Sequence, residues 1–138
     1  MIAAIPLTIV PLILFNILGI VYGAATPPWD NVVFNLPLVG GVAGITLGDL
    51  MVLLGIVMLF FEMIRAAQPG PRTIYNHLVS TGVFVVYLIE FILVGFAANA
   101  TFLILTLIAV FDVAAGFTVS IRTSTRDIAL GQTFDGPM

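Results

Sequence analysis

The chain has no cysteine and no lysine, a single histidine (His77), and only four basic residues, all of them arginine. Without thiols there is neither a disulfide framework nor a thiolate metal centre. One histidine excludes a bis-histidine haem within a single subunit. The arginines lie at the ends of apolar runs and form no patch, so nothing here reads a phosphate backbone and no nucleic-acid partner is expected. Charge of either sign is scarce: 8% of the 138 residues are charged and 61% are hydrophobic, with a mean hydropathy of +1.23. A soluble domain carries roughly 25% charged residues. The expected solvent is the lipid bilayer.

Four apolar runs are long enough to cross the roughly 30 Å hydrocarbon core, which takes about 20 helical residues. They cover about 2–24, 45–65, 74–97 and 100–122. In lipid the backbone must satisfy itself, so each run is expected to be a helix. The predicted fold is an all-α, four-transmembrane-helix bundle forming one domain over 1–122. A long apolar outer loop spans 25–44, and a polar tail spans 123–138. Arg65 and Arg72 flank the connector between the second and third runs, and Arg122 and Arg126 follow the fourth. The positive-inside rule then predicts a multi-pass protein of the cell inner membrane with both termini cytoplasmic.

Within the first run, Pro6 and Pro11 remove two helix donors, and Pro11 is expected to kink the helix or mark a close neighbour. The loop contains Pro27, Pro28 and Pro37, which exclude a continuous helix, and Trp29, expected at the headgroup level. Its apolar stretch, including Phe34, fits a strand pair, a flap over the bundle mouth, or a docking surface. Gly40, Gly44 and Gly48 repeat as G-x-x-x-G. At 100° per residue Gly44, Gly48, Gly55 and Glu62 share one narrow sector, a close-approach stripe for another helix.

Intramembrane acids are the main functional signal, because a carboxylate at depth must be protonated, hydrogen-bonded or neutralised by a cation. Glu90 and Asp112 have no basic residue at comparable depth. With Asp49, Tyr87 and Asn16 they are the candidate proton or cation sites. An equally physical expectation is helix glue: Asp112 bonded to Thr8, Asn16 or Ser80, and Glu90 to a carbonyl or to Tyr87. Asp49 also fits a first-turn charge on the second helix. Glu62 and Arg65, at i and i+3, read as an interfacial pair.

His77 and Glu62 supply at most two metal ligands, so no metal is expected, and no cofactor motif or catalytic residue set is present. In length and helix count the chain resembles the small multidrug resistance transporters, but its first run has no acid where that family carries its glutamate. Two functions are carried forward. One is an accessory, assembly or interaction subunit of a larger inner-membrane complex, partnered by its own copies or by other membrane subunits. The other is a small oligomeric proton- or cation-coupled carrier or channel.

Overall fold

The structure, a computed structural model, describes residues 5–23, 27–66 and 73–134. It is mostly helical, in the order α1 (Ile9–Tyr22), β1 (Val32–Leu38), β2 (Gly41–Thr46), α2 (Leu47–Ala66), α3 (Thr73–Leu93) and α4 (Ala100–Phe134). Three helical segments are long and apolar enough to cross a membrane: Leu47–Ala66, Tyr75–Leu93 and Ala100–Thr118.

The first helix is shorter than expected. It has 14 residues, about 21 Å at 1.5 Å per residue, because the chain enters it through a turn. In that turn the amides of Ile9 and Val10 donate to the carbonyls of Pro6 and Leu7. Pro11 therefore sits in the first turn, where helix amides have no intrahelical acceptor, and its missing N–H costs nothing. The expected kink has no cause. Gly23, at φ +73°, ends the helix.

The loop folds as a two-stranded antiparallel hairpin, so the fold is not purely helical. Leu38 pairs with Gly41 around the two-residue turn Val39–Gly40, and the register continues to Val32 and Thr46 past an irregularity between Val32 and Phe34. Valine-rich composition and the three prolines favour this extended path over a helix. Gly44 is consequently a strand residue, facing Val32 and Asn35. The expected glycine stripe begins only at Gly48.

Trp29 packs into the bundle. A short 3-10 turn at Pro28–Asp30 folds the chain back over the bundle, and the indole is buried against Phe15 with ring centroids 3.8 Å apart. Phe102 and Tyr87 extend this aromatic layer. The ring gains stacking on Phe15, while its Nε1 has no hydrogen-bond partner among the described residues.

Beyond the connector, Asn99 starts α4 by accepting the Phe102 amide on its Oδ1. This helix does not stop near Arg122 but continues to Phe134, absorbing most of the expected tail. Arg122 and Arg126 lie on its backbone. Arg72 falls outside the described residues.

Candidate functional site: a polar clasp around the first helix

Helix α2 buries Gly48, Met51, Gly55 and Glu62 on one face. The glycines let α4 approach: a Cβ at Gly48 would stand 2.5 Å from Thr101 Oγ1, and one at Gly55 would stand 2.8 Å from Leu105 Cδ2. The stripe is thus an intramolecular α2–α4 seam, which carries Glu62 into the interior near the arginine-bearing end.

There Glu62 meets the recessed start of α1. Its Oε2 accepts the Leu7 amide at 3.0 Å and its Oε1 accepts from Arg65 at 2.9 Å. Arg65 also donates to the Ile5 carbonyl at 2.8 Å. These are backbone groups that the turn before α1 leaves without helical partners, and they need partners inside the protein.

Asp112 of α4 performs a parallel task. Its Oδ2 accepts the Thr8 hydroxyl at 3.0 Å. Tyr87, fully buried on α3, donates to the Thr8 carbonyl at 2.9 Å. Farther along, Asn16 of α1 donates to Glu90 Oε2 at 2.7 Å and to its own helix at the Leu12 carbonyl. Glu62, Glu90, Asp112, Arg65 and Tyr87, drawn from three different helices, all bond the segment between Ile5 and Asn16.

Asp49 takes no part in this arrangement. Its carboxylate accepts the amide and hydroxyl of Thr46, and the Thr46 hydroxyl accepts the Asp49 amide in return. That reciprocal pair is a capping box at the start of α2. The Thr46-x-x-Asp49 spacing is its sequence signature, overlooked when Asp49 is grouped with the buried acids. Asp49→Ala is expected to lower the melting temperature slightly without loosening α1, whereas Thr46→Ser, which keeps the hydroxyl, leaves it unchanged. A thermal melt in detergent combined with α1–α3 crosslinking checks both.

His77 is buried beside the polar cluster, with its imidazole seated over Gly116 and stacked near Phe117. Its Nε2 has no hydrogen-bond partner among the described residues. No group of three His, Asp or Glu side chains able to hold a metal occurs among those residues. Phe34, in contrast, is exposed on β1, well away from the clasp.

The fold and the clasp together define a helical, membrane-compatible bundle in which the carboxylates of Glu62, Glu90 and Asp112 all bond the first helix or the turn before it. Compared with protein-family models, curated proteins and solved structures, the chain matches none.

Proposed function

We propose that the chain is an interaction subunit of a larger assembly in the cell inner membrane, with both termini cytoplasmic and the hairpin on the opposite side. The observation that carries this reading is the hairpin. Every residue of β1 is exposed, and Val32, Val33, Phe34, Leu36 and Leu38 are apolar. The turn residue Val39 is fully exposed too. Among the described residues the sheet has two strands, so each strand keeps one edge unpaired there.

Apolar faces disfavour water, and unpaired backbone edges disfavour hydrocarbon. A protein partner resolves both conflicts, supplying apolar cover for the faces and hydrogen bonds for an edge. Pro37 blunts β1 because it cannot donate. The β2 edge, without proline or charge, is the better docking line.

The test is native mass spectrometry after gentle extraction from the source membrane. Expected is co-purification with other polypeptides in fixed stoichiometry, lost in Phe34→Lys with Leu36→Lys, while the melting temperature of the isolated chain stays the same. Persistence of the complex in that double variant, or isolation of the native chain always by itself, would overturn the reading.

A further inference from the structure

Helices α1 and α3 do not close on each other along their length. Between them runs a groove of about 520 Å³, lined by Ile9, Ile13 and Ile17 on one side and Val79, Gly82 and Val86 on the other. Its polar lining is the Asn16–Glu90 pair. Ile13, Ile17 and Val86 are exposed, so the groove opens sideways to the surroundings of the bundle. Nothing stands within 4 Å of a Cβ placed on Gly82, which leaves its floor empty.

From Val79 to Glu90 the groove runs about 16 Å at 1.5 Å per residue, and its branched aliphatic walls offer a linear hydrocarbon chain contact along that whole length. The length also matches one leaflet, about half of the 30 Å hydrocarbon core.

Chemistry decides the head. Glu90 lies one turn before the end of α3, on the side away from Arg65. Its Oε2 is engaged by Asn16, and no cation lies beside it among the described residues. A carboxylate only accepts hydrogen bonds, and at the edge of the hydrocarbon it calls for a donor or a positive charge. We infer that this groove binds one chain of an amine-headed phospholipid, with the tail along Gly82 and the ammonium drawn to Glu90.

The experiment reconstitutes the full chain in vesicles of equal phosphatidylethanolamine and phosphatidylcholine. Lipid retained per protein after mild detergent is then read by native mass spectrometry. Expected is one retained phosphatidylethanolamine, favoured about tenfold over phosphatidylcholine, the scale of one hydrogen bond to a charged group. Gly82→Leu fills the groove and removes the bound lipid. Glu90→Gln keeps an acceptor for Asn16 and brings the two lipids to parity. Cooperative melting of both variants shows that they are folded, and Ile13→Phe provides a second, surface-side block. Equal retention of both lipids by the native chain would overturn the inference, as would retention unaltered by Gly82→Leu and Ile13→Phe. Stronger retention of phosphatidylglycerol in a parallel vesicle set would overturn the ammonium assignment.

Discussion

Gly48→Leu is expected to destabilise the bundle by about 3 kcal/mol, the upper range for forcing volume into a packed interior. The reason is the rigidity of what the new side chain meets. The Cβ alone would fall 2.5 Å from Thr101 Oγ1 and 3.0 Å from the Trp29 carbonyl oxygen, which is backbone. The Trp29 carbonyl cannot yield without moving the turn that holds Trp29 on Phe15, and the Thr101 hydroxyl yields only by changing rotamer. Gly55→Ala should cost less, about 1 kcal/mol, because it meets the ends of the Leu105 and Ile108 side chains, which can shift. Gly82→Leu, facing open space, should cost nothing measurable. Reversible unfolding in mixed micelles gives all three values. If Gly48→Leu and Gly82→Leu were equally stable, α4 would not pack on α2 through Gly48.

Removing Glu62 should have the second large effect. In Glu62→Ala the Leu7 amide and the Arg65 guanidinium lose their shared acceptor in the interior. Breaking a buried pair from one side costs about 3–5 kcal/mol; because Arg65 is 28% exposed and partly solvated, about 2–3 kcal/mol is expected. Glu62→Gln retains an acceptor for Leu7 and should recover part of that loss.

The structural consequence is specific: α1 loosens before the other helices. The chain has no cysteine, so a disulfide introduced between α1 and α3 reports on α1 without background. Slower crosslinking in Glu62→Ala but normal crosslinking in Asp49→Ala is the expected contrast. Asp112→Asn and Glu90→Gln separate the two functional readings. As clasps, both acids tolerate the amide with modest loss of stability and no effect on any flux. As carrier groups, the same substitutions would abolish coupled flux in proteoliposomes while leaving the melt intact.

The sector shared by Gly48, Gly55 and Glu62 was legible from 100° of rotation per residue, and the structure buries all three on one face of α2. The same rule did not extend to Gly44, because the helix begins only at Leu47 and the strand before it has a different period. The preference of Trp for interfaces describes rings in general and names no packing partner for Trp29. Its actual position depends on Phe15 and Phe102 being brought to one point by α1 and α4.

The sequence by itself determined that this is a mostly helical, membrane-compatible chain; it read four spanning helices, of which the structure makes three long and apolar enough to cross a membrane. Run length, apolarity and the need to satisfy the backbone in lipid are local properties. Tertiary structure alone decided which partners the acids take. Leu7 and Glu62 are 55 residues apart, Asn16 and Glu90 are 74 apart, and Thr8 and Asp112 are 104 apart. No local pattern connects such distances. They close because the short first helix and the turn before it leave backbone and polar groups to which the other three helices bring partners.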